Sequence, residues 1–565
     1  MSISSRTFQS AGQISQHLIP GAYSRIDSIK GQGSTVSVNN GVIMGRCTGG
    51  EPQTLLKLAS VSEVVNTLKS GPLMEAVRQA FNPGDDYVPQ YIYAMRVNDA
   101  DPSSYTLENS SNDMITLTSR DYGLHTNQIT VKIETATSNG KKITIGYKTD
   151  TEEFDDVYRK SLTITHATAT GTVTITSAVQ TLVLSVGTIT IDLNSYPTIG
   201  ELAAYINAQS GYSAVVEAGQ EDKSSLELDG TSAVSLTSGA IFQSTMQAII
   251  DKLNNDSNYV TATAVNATNN RSIPDNITTA VYFIGGSEGS YTSTEWSSAL
   301  TLLEAENIQF ISTPDSSNTV HAAIKTHCAS MSSVTGRKER QFLVGNAWGT
   351  TVSGAVTESK SLNSKWGLKA YNGYKQYDVN GDLQEYDASY TSCLLLGIAC
   401  ATAINEPLTF KKLNVISLEK KLSTSDLETL IANGVCPVAY NSSGLAHIVR
   451  QVNTYQTDDL KWNEFSVVKE MGFVSRDLRN YLENMFIGKA GSSLYGGVMR
   501  GAVEARLAYY TDLGVFSKDS DGTAWWNVTI SISGDKVAVD YDAYPTLPIN
   551  FIFITNHFHE LVTTG

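Results

Sequence analysis

The stretch NNGVIMGRCTGG, residues 39–50, holds a short apolar run, Gly41 to Gly45, between two glycines. Apolar residues then recur close to helical spacing from Val61 to Phe81, with a break at Gly71-Pro72, and Tyr91 to Val97 is a second apolar run. Short continuous apolar runs bounded by turn residues are typical of buried strands. Strands that alternate with helices in this way predict an α/β layer.

The pattern changes between Ser110 and Thr278, where short Thr- and Val-rich segments alternate with a period of two. β-Branched residues suit the half-buried surface of a sheet. One predicted helix, Thr198 to Ala208, interrupts them, and its start carries Thr198 and Glu201 at capping-box spacing. Strand and helix alternation resumes at Ala280 to Gly286. We therefore predict a β-rich domain inserted into a discontinuous α/β scaffold.

The region beyond residue 350 is predicted to hold helices followed by alternating strands. The predicted helices cover Ser389 to Ile404, Ser425 to Asn433, Glu464 to Phe486 and about Leu494 to Tyr510, and the predicted strands cover Asn527 to Ile532, Lys536 to Tyr541 and Pro548 to Ile554. A last strand as apolar as Pro548 to Ile554 needs a partner sheet, because unpaired apolar edges associate.

The length of 565 residues allows roughly three or four domains. The predicted fold class is α/β and α+β multidomain, with a discontinuous α/β scaffold, an inserted β-rich domain and extended N- and C-terminal arms. The predicted divisions are an N-terminal arm (1–31), a first scaffold segment (32–109), the β-rich insert (110–279), a second scaffold segment (280–350), a C-terminal core domain (351–547) and a C-terminal strand (548–565).

Composition excludes several classes of protein. Charged residues make up 17% of the chain, against about a quarter in an ordinary soluble protein, which suggests that partners cover part of the surface. A net charge of -16 argues against binding to duplex DNA. The five cysteines are scattered and odd in number, so they indicate neither a disulfide framework nor a paired metal site. Without a signal peptide pattern or a membrane-length apolar stretch, we expect synthesis and assembly in the cytoplasm.

The strongest catalytic pattern is Gly285 to Gly289, which matches the nucleophile elbow G-x-S-x-G around Ser287. In an elbow the helix starts at the nucleophile, whereas here Tyr291 and Thr292 intervene before the next predicted helix. No sequence feature selects a histidine partner. A plain strand-to-helix turn is favoured, and a serine hydrolase using Ser287 stays as an alternative of another class.

Metal and nucleotide patterns are weaker still. His557 and His559 lie two residues apart at the end of the last predicted strand, a spacing that alternation also produces. Asp378 to Asp382 resembles a fragment of a calcium loop, but a hairpin turn on Asn380-Gly381 explains it better. No phosphate-binding loop pattern occurs. We predict no metal and no cofactor, and keep a carbohydrate-binding module or adhesin in the insert as a further alternative.

Several motifs, taken in order, resemble those of contractile tail sheath proteins. The matching segments are Ile19 to Arg25, Gly41 to Gly45 with Gly49 to Pro52, Gly71 to Phe81, Gly123 to Ile129, Phe283 to Gly289 with Ala299 to Glu304, Ser425 to Val435 with His447 to Arg450, and Tyr544 to Ile552. The resemblance covers nearly the whole chain outside the insert. It also turns the Ser287 pentapeptide into a segment of the sheath pattern.

The resemblance implies a structural subunit of a virion, not an enzyme. Its copies would stack as hexameric rings around a tail tube, meet tail tube, baseplate and tail terminator proteins, and contract without ATP, with no direct contact to nucleic acid and no membrane insertion. A phage-like bacteriocin or a contractile secretion or injection system is the alternative within this class. The implied linkage residues are Tyr23, Ile26 and Ile29 in the N-terminal arm and Ile549, Phe551 and Phe553 in the C-terminal strand.

The helix near residue 500 is a candidate contact face for the tube. Arg500, Glu504 and Arg506 lie close together in the sequence, beside apolar residues at helical spacing. An ordinary amphipathic surface helix explains the same pattern. From the resemblance we predict that Arg500, Glu504 and Arg506 face the tail tube.

Overall fold

A computed structural model of the chain describes residues 6–10, 13–17, 39–84, 87–168, 171–266, 271–457, 459–488 and 495–557. Within these residues, none of the helices combines the length and apolar character that crossing a membrane requires. The chain divides into two compact units. One comprises residues 38–472 and 545–565, and the other comprises residues 1–37 and 473–544.

The larger unit is built on an eight-stranded central sheet. The strands lie in the order Ala446–Ile448, Cys436–Tyr440, Gly367–Tyr371, Gln341–Gly345, Phe310–Ser312, Gly41–Gly45, Ile92–Arg96 and Leu55–Leu58. The six inner strands are parallel, and each of the two edge strands pairs antiparallel with its neighbour. The predicted α/β layer is therefore confirmed, with strands drawn from both sides of the insert.

Helices cover both faces of this sheet, as a parallel sheet requires. Ile43 packs in a core with the helices Pro72–Ala80 and Ala388–Ala401. Its neighbours Val42 and Met44 point to the other face and pack in a core with the helices Ser293–Leu303 and Asn318–Met331. The apolar run 41–45 is continuous because both of its faces are buried.

Outside the β-rich region, this unit holds further elements around the sheet. They are the helices Val61–Leu68, Val352–Leu362, Thr424–Ala432 and Leu460–Asn463, and a small sheet of Leu383–Tyr386, Tyr374–Tyr377 and Ser417–Leu418. The predicted capping box of Thr292 and Glu295 is formed at the start of its helix, and Ser423 with Asp426 forms another. The Asn380-Gly381 turn joins the first two strands of the small sheet, so that predicted hairpin is confirmed.

The β-rich region contains two separate hydrophobic cores. The first combines the sheet of Val260–Ala264, Asn112–Ser119 and Ser104–Asn109, the sheet of Asp150–Val157, Lys141–Tyr147, Ile129–Thr135 and Ile277–Tyr282, and the helix Thr245–Asp256. The second lies between Val157 and Thr245 in the chain. It combines the sheet of Tyr212–Val216, Lys160–His166 and Ala240–Gln243, the sheet of Ile189–Asp192, Thr181–Leu184, Thr172–Thr176 and Thr231–Ser235, and the helix Ile199–Asn207.

Two features of the sheets differ from the sequence-based expectation. The strand expected at Ala280 to Gly286 to resume the scaffold is Ile277–Tyr282, and it pairs with Ile129–Thr135 of the β-rich region instead. Most of its residues are exposed, as suits an edge strand. The central sheet also continues past the predicted boundary at residue 350, through Gly367–Tyr371 and Cys436–Tyr440. These short strands lie among helices, which dominate the pattern there.

The smaller unit holds helices and two β-hairpins. Its helices are the part of Phe465–Phe486 from Phe473 onward and Tyr495–Asp512. Trp525–Ser533 pairs with Lys536–Ala543, and Arg6–Ser10 pairs with Gln13–His17 within the expected N-terminal arm. The strand predicted at Ala22 to Ile29, with Tyr23, Ile26 and Ile29, lies outside the described residues.

Candidate functional site

The C-terminal segment of the larger unit exposes a run of large apolar side chains. Residues 548–557 form neither helix nor strand, so the predicted terminal strand is not formed within the single chain. Ile549 is 84% exposed, Phe551 67% and Phe553 93%. Ile552 and Ile554 are exposed as well. Contiguous apolar exposure of this kind marks an interaction surface.

The start of this segment is attached to the larger unit. The Asn550 side chain donates a 3.0 Å hydrogen bond from Nδ2 to Oε1 of Glu464. The same Glu464 oxygen lies 2.7 Å from Nη2 of Arg450, and Glu464 is buried. The Arg450 guanidinium lies 5.7 Å from the centre of the Phe551 ring. The segment is therefore held at Asn550, while the apolar side chains beyond it face solvent.

The three residues proposed for the tube-facing surface do not share one face. Arg500 Nε lies 2.8 Å from Glu504 Oε1 one helical turn away, and the Arg500 side chain is 58% exposed. Arg506 instead donates two hydrogen bonds of 2.6 Å to the carboxylate of Asp477. Six residues rotate a helix by roughly 240°, so Arg506 lies on a different face from Arg500.

Arg506 belongs to a packed cluster within the smaller unit. Its guanidinium lies over the rings of Tyr481 and Tyr509, and Tyr510 donates a hydrogen bond to the same Asp477 carboxylate. Asp477 is buried, so this bidentate pair fixes the packing of two helices against each other. The proposed tube-facing surface is thereby reduced to Arg500 and Glu504.

Ser287 lies in a turn that joins the β-rich region to the scaffold. Its Oγ donates a 2.7 Å hydrogen bond to Oδ2 of Asp101, and their backbones form an isolated bridge. The next helix begins only at Ser293, after its cap at Thr292. An elbow nucleophile stands at the helix start and hydrogen-bonds to a base. The pentapeptide therefore has the geometry of a connecting turn.

Arg96 links this turn to two other segments, and we refer to the set as the insert joint. Arg96 is fully buried at the end of a central strand. Its Nη1 donates to the carbonyl oxygens of Gly50 and Tyr122, each at 3.0 Å. Its Nη2 lies 2.9 Å from Oε2 of Glu288. One side chain thus ties the scaffold to the Tyr122 loop inside the β-rich region and to the turn that follows that region.

The glycines of the pentapeptide permit this close approach. A Cβ at Gly289, whose φ is +64°, would lie 2.1 Å from the carbonyl oxygen of Asp99. A Cβ at Gly286 would lie 2.8 Å from the carbonyl oxygen of Gly123, and Asn127 exchanges two hydrogen bonds with the Gly286 backbone. Sequence reasoning missed the joint, although a charged residue inside the apolar run 91–97 was a signal for it.

The metal candidates gain no support from the geometry. Among the described residues, no three His, Cys, Asp or Glu side chains lie together in a way that could hold a metal ion. His559 lies outside the described residues. The Asp378 carboxylate accepts hydrogen bonds from the backbone of Asn380 and Asp382, which is the ordinary arrangement of a turn.

Comparison with known proteins finds similarity to phage tail sheath proteins. Residues 289–454 match the family model of the phage tail sheath protein central domain. A tail sheath protein of Bacillus phage SP01 is 26% identical over 568 aligned residues, which cover 95% of this chain and 95% of that protein. The resemblance to tail sheath proteins is confirmed. The similarity extends over nearly the whole chain.

Further comparisons point the same way. A tail sheath protein of Staphylococcus phage Twort is 24% identical and aligns with 83% of this chain and 85% of its own length. The crystal structure of a sheath tail protein from Desulfitobacterium hafniense superposes with a TM-score of 0.56 at 12% identity, covering 93% of this chain and 96% of that one. A sheath tail protein from Listeria innocua gives a TM-score of 0.56 at 13% identity, covering 90% and 92%. The fold is therefore that of tail sheath proteins.

One buried acid near the start of the C-terminal segment gives this sheath-like chain a pH dependence. Glu470 is buried beside Lys469, whose ammonium donates to the carbonyl oxygens of Ala403 and Glu406. Burial raises the pKa of Glu470 to about 9, partly countered by Lys469 and by the backbone of Thr546. Glu470 thus carries a proton in the folded chain at neutral pH, whereas the unfolded chain ionises it.

We expect Glu470→Gln to stabilise the larger unit increasingly as the pH rises. The raised pKa gives wild-type stability that is full below about pH 4.5 and is lost as the pH rises towards 9. Gln keeps the shape and cannot ionise, so the gain in stability should be small at pH 4.5 and should grow with pH, by at most about 1.4 kcal/mol for each pH unit. Melting temperatures across this range measure the difference. Parallel pH profiles for the variant and the wild-type chain would contradict the assignment.

Proposed function

We propose that the chain is the structural subunit of a contractile tail sheath. Copies polymerise as stacked hexameric rings around a tail tube, and contraction drives the tube through the host envelope to deliver the genome. The observation that carries this proposal is the exposed apolar C-terminal segment in a chain that resembles phage tail sheath proteins over 95% of its length. Exposed apolar surface of this kind marks a site where another chain binds.

The C-terminal hairpin of the smaller unit offers two edges to which further strands could pair. Trp525–Ser533 and Lys536–Ala543 form a two-stranded sheet, and no third strand joins it within the described residues. Most of its side chains are exposed, including Ile532 and Val537. Two strands alone are marginally stable, and a third or fourth strand would satisfy the free edges.

We infer that the arms of neighbouring copies add strands to this hairpin. The proposed linkage residues are Tyr23, Ile26 and Ile29 of the N-terminal arm and Ile549, Phe551 and Phe553 of the C-terminal segment. Main-chain hydrogen bonds would supply affinity, and alternate side chains would supply register. The arms would then keep rings connected while the folded units rotate and repack.

The energy for contraction would come from contacts between subunits. The chain shows no phosphate-binding loop pattern, and the relatives are structural proteins. The proposed partners are further copies of the chain, a tail tube protein, and baseplate and tail terminator proteins, with assembly in the host cytoplasm and a final place in the virion. The similarity to phage sheaths favours a virion over a bacteriocin or secretion machine.

Negative-stain microscopy of the purified full-length protein tests the proposal. A sheath subunit should form long hollow cylinders as its concentration rises, because it carries both the exposed segment and the acceptor hairpin. Monodisperse monomers at every concentration would contradict it.

The tube-facing proposal rests on Arg500 and Glu504 and needs a separate test. Arg500→Glu should lower the fraction of tubes that acquire a sheath while leaving the melting temperature unchanged, since an exposed pair at this spacing contributes only about 0.3–0.5 kcal/mol. Lys518→Glu, which reverses another exposed charge of the same unit, is the control. Equal tube coverage by the wild type and both variants would refute the tube-facing role of Arg500 and Glu504. Arg506 is unsuitable, because reversing it would break its buried pair with Asp477.

A further inference from the structure

Phe410 combines an exposed side chain with an unusual backbone conformation. Its side chain is 68% exposed, and its φ is +64°, in the left-handed region. A bulky residue is rare in this region, which favours Gly and Asn. Conformations of this kind persist where the surrounding structure imposes them, and they concentrate at functional positions.

Hydrogen bonds to the edge of the central sheet impose this conformation. The backbone N–H of Phe410 donates to the carbonyl of Ile448 at 2.7 Å, and Ile448 donates back to the carbonyl of Lys411 at 3.0 Å. Lys412 and His447 form an isolated bridge beside them. The backbone is thus fixed by main-chain bonds that any residue could make, and nothing in them requires an aromatic side chain.

The packing of the ring does not require phenylalanine either. The ring lies 4.8 Å from the imidazole of His447, centre to centre, and shields it on one side. His447 is already held by its hydrogen bond to the carbonyl of Ala439 and is buried. About two thirds of the Phe410 side chain still faces solvent. An exposed aromatic residue whose backbone is held in the left-handed region is a candidate contact residue, because aromatic residues are enriched at protein interfaces.

The charge beside the ring indicates the kind of surface that it meets. Lys411 and Lys412 follow Phe410 directly, and Lys412 is exposed. Lys411 forms an ion pair with Glu406 and lies 4.6 Å from the centre of the Tyr87 ring. The chain as a whole carries a net charge of -16, so acidic side chains outnumber basic ones. Copies of such a chain repel one another unless cationic residues meet acidic ones at their contacts.

We propose that Phe410 and Lys412, the Phe410 patch, form a contact surface for an acidic surface of a second copy of this chain. The proposal rests on the self-assembly proposed above and adds to the arms a contact between the folded units. Phe410 supplies buried aromatic area in the assembly, and Lys412 supplies a charge opposite to that of its partner surface. The rigid backbone presents both without loss of loop entropy on binding.

The Phe410→Asn variant removes the proposed contact without disturbing the fold of the subunit. Asn tolerates the left-handed region, so the free subunit should melt within about 3 °C of wild type. The critical concentration for polymerisation should rise at least roughly tenfold, because an aromatic anchor is lost. Tyr282→Asn is the matched control: Tyr282 is a 64% exposed aromatic on an edge strand of the β-rich region, and its loss should leave the critical concentration unchanged.

Lys412→Glu tests the charge with an intact ring. Its critical concentration should exceed that of wild type several-fold at low salt, and the difference should narrow as ionic strength rises. Lys223→Glu reverses an exposed charge in the β-rich region and should change the critical concentration far less than Lys412→Glu does. Unchanged polymerisation by both the Phe410→Asn and the Lys412→Glu variants would overturn the patch while leaving the sheath proposal intact. A wild-type protein that never polymerises would overturn the sheath proposal itself, and the patch with it.

Discussion

A chain that ends at Thr546 is expected to fold but to form no sheath. The truncation removes the exposed apolar residues 549 and 551–554, whose burial in a neighbour would contribute about 1.5–3 kcal/mol for each side chain. It leaves every strand of the central sheet and the hairpin Trp525–Ser533 with Lys536–Ala543 in place. The truncated chain should form no polymer even at roughly a hundred times the critical concentration of the wild-type chain, because it loses several such side chains together. Light scattering and microscopy measure the loss.

Circular dichroism and melting temperature show whether the truncated subunit is folded. The truncation removes the side-chain hydrogen bond of Asn550 with Glu464, at the edge of the larger unit. We therefore expect its spectrum to match that of wild type and its melting temperature to fall by only a few degrees. Full-length cylinders from the truncated chain would refute the assignment of this segment to linkage.

Serine variants distinguish strand addition from mere apolar association. In an added strand, Ile549, Phe551 and Phe553 share one face, and Ile552 and Ile554 share the other. Replacing the first three by Ser should abolish polymerisation, whereas replacing Ile552 and Ile554 by Ser should weaken it less. Equal losses in the two sets would indicate that apolar area alone, without a register, drives the contact.

Local signals in the sequence predicted much of the scaffold. The run Gly41–Gly45 is a buried strand as expected, because its continuous apolar pattern indicates burial on both faces. The start of the helix Ser293–Leu303 follows from Thr292 and Glu295, since a capping box involves residues only three apart. Features that are set by residues close together in the sequence can be predicted from the sequence alone.

Features that depend on distant residues were not predicted. The two cores of the β-rich region share one pattern of short alternating strands, so composition does not mark where one core ends and the other begins. Arg506 was grouped with Arg500 by sequence proximity, but its partner Asp477 lies on another helix. The acceptors of Arg96 come from Gly50, Tyr122 and Glu288, and only the fold brings them together.

Arg96→Met is expected to destabilise the larger unit by about 3–5 kcal/mol, the largest stability change among these variants. Met fills a similar volume, but it leaves the carbonyl oxygens of Gly50 and Tyr122 without their buried donor. Glu288 also loses its partner beside them. Arg96→Lys should recover only a fraction of the loss, since one ammonium cannot span three acceptors as a planar guanidinium does.

Arg500→Met is the matched control, because it removes an arginine from an ion pair that is exposed instead of buried. It should change the free energy of unfolding by less than about 0.5 kcal/mol.

Hydrogen exchange shows which part of the chain the Arg96→Met variant destabilises. The amides of Asp101 and Gly123 form hydrogen bonds across the insert joint. They should lose protection before the amides of the central strand Gly41–Gly45 do. Uniform loss of protection would mean that Arg96 supports the whole sheet. Confined loss would mean that the joint holds the β-rich region to the scaffold, so that a movement of one during the proposed contraction would carry the other with it.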